Sequence, residues 1–117
     1  MSAENTIVNI LTSNNIKCFP LVAPHDEPAP FVVYQEISSN ENIRSHAGEE
    51  ALRSHWQLAC WSYSYGEVST LANQVKALFH LNLTDFEFSA VENKFDLPDP
   101  ETNLFRKILE VYLWENS

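Results

Sequence analysis

The sequence has few of the residues that build catalytic and cofactor sites. It contains two glycines, Gly48 and Gly66, in 117 residues. Glycine-rich phosphate loops and dinucleotide-binding fingerprints need several closely spaced glycines, so both are excluded. The two cysteines and four histidines lie far apart along the chain, without metal-ligand spacing, and no serine lies in a nucleophile elbow. These absences argue against an enzyme and predict no cofactor and no metal.

Basic residues are also scarce. Seven Lys and Arg residues stand against 16 Asp and Glu residues, which gives a net charge of −9. Proteins that bind nucleic acid or anionic membranes neutralise phosphate groups with Lys and Arg, so this composition is unfavourable for either role. The common reason for such acidity is solubility. The alternative is that an acidic surface faces a polyanion that must pass without sticking.

Long apolar runs are missing as well. No segment approaches the ~20 apolar residues of a membrane-spanning helix. The first residues, MSAENTIVNI, lack the basic start and apolar run of a signal peptide. Cys18 and Cys60 give no sign of a disulfide framework, and Cys60 falls on the apolar side of a predicted strand, where a thiol usually packs as a small hydrophobe. We therefore expect folding in the reducing cytoplasm.

The clearest pattern that is present is a strand followed directly by a helix. Residues 52–61 alternate between apolar and polar, with Ser54 as the one lapse, which predicts a half-buried strand. The period then becomes helical. Ser64, with Glu67 three residues later, is a capping-box pattern that starts the helix. One apolar stripe follows, formed by Val68, Leu71, Ala72, Val75, Leu78 and Phe79.

The other elements complete an α-β-β-α-β-β order. Apolar spacing predicts a first helix over residues 2–14, and residues 16–22, interrupted by Pro20, are expected to be irregular or at a sheet edge. Strands are predicted over residues 31–38, 86–91 and 104–115. The sequence thus predicts a single α+β domain over residues 1–117. Its mostly antiparallel four-stranded sheet would carry two helices on one face.

Two polar segments are candidate contact sites. Residues 39–49 are expected to form a long hairpin loop that could project as an arm, with Ile43 and Arg44 in its middle. Ile43 would either pack onto its own domain or insert into a neighbouring subunit. Residues 94–103 contain prolines that prevent strand pairing, so a second loop is expected there.

The last predicted strand has apolar residues on both sides, although two helices cover only one face of a sheet. Tyr112 and Trp114 lie on the second side, and Trp61 of the preceding strand points the same way. Two explanations remain open: residues 16–30 cover this second face, or another subunit packs against it.

Two segments resemble the tail completion proteins of long-tailed bacteriophages, also called tail terminators or head–tail joining proteins. They are APFVVYQEIS at residues 29–38 and WQLACWSYSYGEVSTLANQVKAL at residues 56–78. The resemblance covers most of the chain, from the first helix to the last strand, and its motifs are packing patterns. It implies an α+β fold of the kind predicted above and supplies no catalytic residues.

The resemblance implies a structural role in the virion tail, after synthesis in the bacterial cytoplasm. Such proteins form a ring, by family a hexamer, that caps the tail tube and docks it to the head connector. They can stay monomeric until they meet the tube, and DNA passes through the ring without being read. The expected partners are further copies, the tail tube protein and the head connector protein. The candidate interface residues are Ile43, Arg44, Trp61, Tyr112 and Trp114.

Two alternatives stay open from the sequence. The first is a small dimeric α+β ligand-binding protein or enzyme, with Arg53, His55 and Gln57 on the polar side of the central strand as its polar groups. The second keeps the phage context but makes the chain a head-side connector or adaptor.

Overall fold

A computed structural model describes residues 3–44, 50–86, 88–97 and 103–116. Two helices pack on a five-stranded sheet. The helices are α1 (Ala3–Ser13) and α2 (Tyr65–Phe79), and the strands are β1 (Cys18–Pro20), β2 (Phe31–Arg44), β3 (Glu50–Ser62), β4 (Phe88–Asp96) and β5 (Phe105–Asn116). The strand order is β1-β2-β3-β5-β4, with β1 parallel to β2 and all other neighbours antiparallel. The predicted α+β class is confirmed.

The predicted strand count was wrong by one. Cys18–Pro20 forms an additional edge strand that pairs with residues 32–34 in parallel, so the sheet is mixed and has five strands instead of the predicted four. Its proline is tolerated because an edge strand has an unpaired side that does not need the missing N–H group. Three residues are too few to show the alternation by which a strand is recognised in sequence.

Two predicted loops are shorter than expected because the strands continue into them. β2 runs on to Arg44, so Ile43 and Arg44 lie in a strand, paired with Ala51 and Glu50, rather than in the middle of a loop. Likewise β4 continues to Asp96. Cross-strand pairing here overrides the weak strand preference of polar residues. Residues 45–49 of the first predicted loop and residues 98–102 of the second lie outside the described residues.

The two helices cover the same face of the sheet. Their apolar stripes and the inward residues of β2, β3 and β5 form one buried cluster, which includes Ile7, Leu11, Val32, Leu58, Val75, Phe79, Leu109 and Val111. We call this side of the sheet the helix-covered face. The predicted stripe of α2 is confirmed, because five of its six members are buried and Leu78 packs against the cluster.

The start of α2 forms as the sequence predicts. Ser64 caps α2, because its Oγ accepts a hydrogen bond of 3.1 Å from the backbone N–H of Glu67. The Glu67 carboxylate in turn accepts from the Ser62 hydroxyl at 3.1 Å, which ties the helix start to the end of β3. At the end of α1, Asn15 adopts a left-handed conformation with φ of 60°, as expected of an Asn helix stop.

A polar clamp holds α2 to the sheet at the margin of the core. The buried Lys107 Nζ lies 3.0 Å from the Asp96 carboxylate and donates to the Tyr65 hydroxyl at 3.2 Å. Tyr65 donates to the same carboxylate at 3.0 Å. Hydrogen bonds from Lys107 and Tyr65 hold the pKa of Asp96 below its ordinary value, and the bond to Asp96 raises the pKa of Lys107. The clamp therefore joins α2, β4 and β5 through ionised groups.

The thiol of Cys60 is part of the core and not a reactive group. It is fully buried between the sheet and the helices. Burial raises its pKa to about 12, so the thiol stays protonated at neutral pH and is a poor nucleophile. The prediction that Cys60 packs as a small hydrophobe is confirmed.

Candidate functional site: the helix-free face of the sheet

The opposite side of the sheet carries the candidate site. We call it the helix-free face. Because side chains alternate along a strand, the residues between the core positions of β2, β3 and β5 point to this side. The strand registers bring them together as one continuous surface of Phe31, Val33, Gln35, Arg53, His55, Gln57, Ala59, Trp61, Arg106, Ile108, Glu110, Tyr112 and Trp114.

One end of the helix-free face borders a cleft of about 830 Å³. Its floor is formed by sheet residues, including Val33, Ala59 and Ile108, and its outer wall by residues 21–27. The Phe31 and Trp61 rings stack with centroids 5.9 Å apart, and the Arg106 guanidinium lies 4.7 Å from the centroid of the Trp61 ring. The cleft thus has an aromatic and cationic edge.

The other end carries a cluster of aromatic rings around one arginine, which we call the aromatic cluster. His55 stacks on Tyr112 with centroids 4.3 Å apart, and Phe88 meets Trp114 edge to face at 5.1 Å. The Arg53 guanidinium lies 5.3 Å from the Tyr112 centroid and 5.9 Å from the Trp114 centroid. Because each ring pair and cation–π contact is favourable, the cluster is held in one arrangement.

The charge of this face differs from that of the chain as a whole. Its β3 and β5 side chains carry two arginines, Arg53 and Arg106, and one acidic group, Glu110, in a chain of net charge −9. Both guanidiniums lie over aromatic rings. Arginine over aromatic rings is the composition of contact hot spots in protein interfaces.

Two buried nitrogen atoms of this face have no hydrogen-bond partner within the described part of the chain: His55 Nε2 and Trp61 Nε1. The Glu110 carboxylate comes to 3.9 Å from His55 Nε2, which is too long for a hydrogen bond. A buried polar group without a partner costs about 1–3 kcal/mol. Within the described residues, these two polar groups of the helix-free face are therefore unsatisfied.

Three of the five predicted interface residues lie on this face, in two places. Trp61 lies at the cleft, whereas Tyr112 and Trp114 belong to the aromatic cluster. Ile43 and Arg44 lie in β2, paired with β3, and their side chains are outside the described residues. The two arginines of the face were not among the predicted interface residues, although alternation along β3 and β5 assigns them to the same side as the three aromatic residues.

The sequence left two explanations for the apolar second face, and the structure supports the first of them at one end of the face. Residues 21–27 line the cleft at one end, so part of the segment 16–30 does cover the face. At the other end, Phe88 of the aromatic cluster keeps 40% of its surface exposed. The cluster is thus not covered by residues 21–27.

Two of the three polar residues suggested for an enzyme or ligand-binding alternative belong to this cluster. Arg53 and His55 both contact the Tyr112 ring, and Gln57 follows at the margin of the cleft. Among residues 3–44, 50–86, 88–97 and 103–116, no three His, Cys, Asp or Glu side chains are grouped as a metal site would need. Neither described helix has the length and apolarity to cross a membrane.

A sheet with one helix-covered face and one face of arginines over aromatic rings is typical of a subunit that packs against other proteins. The family model of tail completion protein gp17 matches residues 11–115. The chain belongs to this family, a family of structural phage tail proteins, which confirms the resemblance seen in the sequence. A search of curated proteins gave no significant match.

Proposed function

We propose that this tail completion protein forms a closed ring on the end of the tail tube that meets the head, and that it docks the tube to the head connector. The helix-free face is the surface through which it contacts its neighbours. The observation that carries this proposal is the presence on one face of two arginines that lie over aromatic rings, in a chain of net charge −9.

The ring is built from identical single-domain subunits, by family six, through head-to-tail contacts. In such a contact the two subunits use different surfaces, and rotation closes the ring. Charge favours this arrangement over a face-to-face dimer. Two helix-free faces would place their arginines opposite one another, whereas a head-to-tail contact places them against the acidic remainder of the next copy.

The proposed partners are the tail tube protein, the head connector protein and further copies of the chain in the virion tail, assembled after synthesis in the host cytoplasm. DNA passes through the ring without base-specific contacts. The excess of acidic residues over the chain favours this passage, because acidic groups in the opening repel the phosphate backbone.

The test combines the mass of the protein in solution with electron microscopy of the protein mixed with purified tail tubes. Light scattering over a concentration series gives the oligomeric state of the isolated chain. We expect a hexamer-sized ring, either in solution or at one end of each tube. A tight dimer that leaves tube ends bare would contradict the proposal.

A further inference from the structure

The cleft at the end of the helix-free face has the features of a binding site. Its volume of about 830 Å³ is within the range of sites that hold ligands or peptide segments. The outer wall includes two apolar residues, Leu21 and Val22, which have 67% and 73% of their surface exposed. An occupant of the cleft would cover these side chains and remove their apolar surface from water.

The outer wall is fixed at both ends, so the cleft exists before anything binds. The backbone N–H of Leu21 donates to the carbonyl of Tyr34 at 2.9 Å. Lys17 forms a 2.9 Å ion pair with Glu27 at the far end. Leu21 also has a φ of 65°, a left-handed conformation that is unusual for a bulky residue. Strained backbone of this kind is concentrated at functional sites.

The polar groups of the cleft fit a peptide. Gln35 and Gln57 face each other across β2 and β3 and line the cleft. Each side-chain amide both donates and accepts hydrogen bonds, as a peptide backbone requires. Arg106 supplies a positive charge. Its guanidinium lies over the Trp61 ring, and its Nε donates a hydrogen bond to the Leu97 carbonyl at 2.9 Å.

The aromatic edge narrows the class of peptide. Phe31, Trp61 and Tyr63 line the cleft, and grooves lined by aromatic rings bind extended segments that contain proline. Together with Arg106, this edge favours a segment that carries apolar groups, prolines and carboxylates. Residues 97–103 have this composition, with the sequence Leu-Pro-Asp-Pro-Glu-Thr-Asn.

We propose that the cleft binds residues 97–103 of a second copy of this chain. The proposal rests on the ring described above and identifies one of its contacts. The prolines and Leu97 of one subunit pack against the aromatic edge and outer wall of the next. Asp99 or Glu101 pairs with Arg106, which is the charge complementarity expected of a head-to-tail contact.

The test uses the monomeric protein and two peptides with blocked ends. The first, acetyl-LPDPETN-amide, copies residues 97–103, and the second, acetyl-LPNPQTN-amide, lacks both carboxylates. The three tryptophans give three indole N–H signals in a proton–nitrogen NMR spectrum, and a Trp61→Phe variant assigns the signal of Trp61. We expect the first peptide to shift this signal in a saturable way, with the second binding about tenfold more weakly for the loss of a charged contact.

Two variants of the protein locate the contact. Arg106→Gln should weaken binding of the acidic peptide by about tenfold and leave the neutral peptide unchanged. Lys76→Gln removes a positive charge from the exposed side of α2, away from the cleft, and should bind as the parent does. A third variant carries Asp99→Asn and Glu101→Gln, so its own residues 97–103 cannot compete with the acidic peptide for the cleft. This variant should bind the acidic peptide at least as tightly as the parent does.

The proposal is overturned if millimolar acidic peptide leaves the Trp61 signal in place, or if both peptides bind equally well. Either result leaves ring formation on tail tubes untouched, because that is observed separately by electron microscopy. Conversely, peptide binding by a protein that never forms a ring would support the cleft as a site and count against the ring.

Discussion

The two faces of the sheet are best compared along β5, where neighbouring residues point to opposite faces and have different roles. Leu109, Val111 and Leu113 point to the helices and have no exposed surface. Tyr112 and Trp114 alternate with them, point away from the helices and join the aromatic cluster. One strand thus anchors the core with one set of side chains and presents a contact surface with the other. The difference explains why a sheet with two helices has apolar residues on both sides.

The largest effect is expected from a substitution in the core beneath the helix-covered face, measured as a loss of stability. Leu58 is fully buried beneath the helices, so Leu58→Ala leaves a cavity and should lower the free energy of unfolding by about 2–5 kcal/mol. Gln57→Ala, one residue earlier and on the helix-free face, is the matched control and should stay within about 0.5 kcal/mol. Urea unfolding followed by circular dichroism measures both. Equal losses would show that the two faces contribute alike to stability.

The next largest effect is expected from a substitution on the helix-free face that leaves the core unchanged, measured as a loss of attachment to tail tubes. Arg53→Glu reverses the charge in the aromatic cluster and should weaken attachment to tail tubes at least tenfold, which corresponds to about 1.4 kcal/mol. Co-sedimentation with tubes over a concentration series measures this change. Lys76→Glu makes the same charge change on the exposed side of α2 and should attach normally. If both variants attach equally well, Arg53 has no part in assembly.

A smaller loss of stability is expected from a substitution at the junction between β3 and α2. Ser64→Ala removes the N-cap hydrogen bond to Glu67 and should cost about 1 kcal/mol of stability. Gln74→Ala, on the exposed side of the same helix, should leave stability nearly unchanged. Thermal and urea unfolding report both values. A Ser64→Ala protein as stable as its parent would show that the cap adds nothing to the helix.

The smallest effect concerns the polar clamp and depends on pH. The folded pKa of Asp96 is lowered, so the ionised carboxylate stabilises the fold above the unfolded pKa of about 3.9. This stabilisation is lost as the pH falls through the lower, folded pKa. Asp96→Asn should therefore be less stable than the parent at pH 6, and the difference should disappear toward pH 2.

The control for this pH dependence is Glu92→Gln, which removes an acidic group from the same strand outside the clamp. Urea unfolding at pH 2, 4 and 6 compares the three proteins. A difference between Asp96→Asn and the parent that stays constant over this pH range would exclude the clamp as its source.

The assignment of side chains to the two faces of the sheet can largely be predicted from sequence, because alternation along a strand fixes which side chains share a face. It assigned Cys60 to the apolar side of β3 and Trp61, Tyr112 and Trp114 to the other side of the sheet, as the structure has them. It also located the cap at Ser64, since hydroxyl capping depends on neighbours along the chain.

The rest depends on contacts between distant segments. β1 is too short to show a period, and the continuation of β2 to Arg44 depends on pairing with β3 rather than on local preference. The cleft forms only where residues 21–27 meet β3 and β5. Arg106 reaches Trp61 because the register of β3 and β5 sets these two residues side by side, and no spacing along the chain encodes that register.

The central claim is that the helix-free face becomes buried when the protein assembles on the tail. Hydroxyl-radical footprinting with mass spectrometry, on the isolated protein and on protein bound to purified tail tubes, tests it most directly. Tyr65, half exposed at the start of α2, is the internal reference. We expect Tyr112 and Trp114 to be protected in the tube-bound protein while Tyr65 is oxidised as before. Unchanged oxidation of Tyr112 and Trp114 in tube-bound protein would contradict the claim.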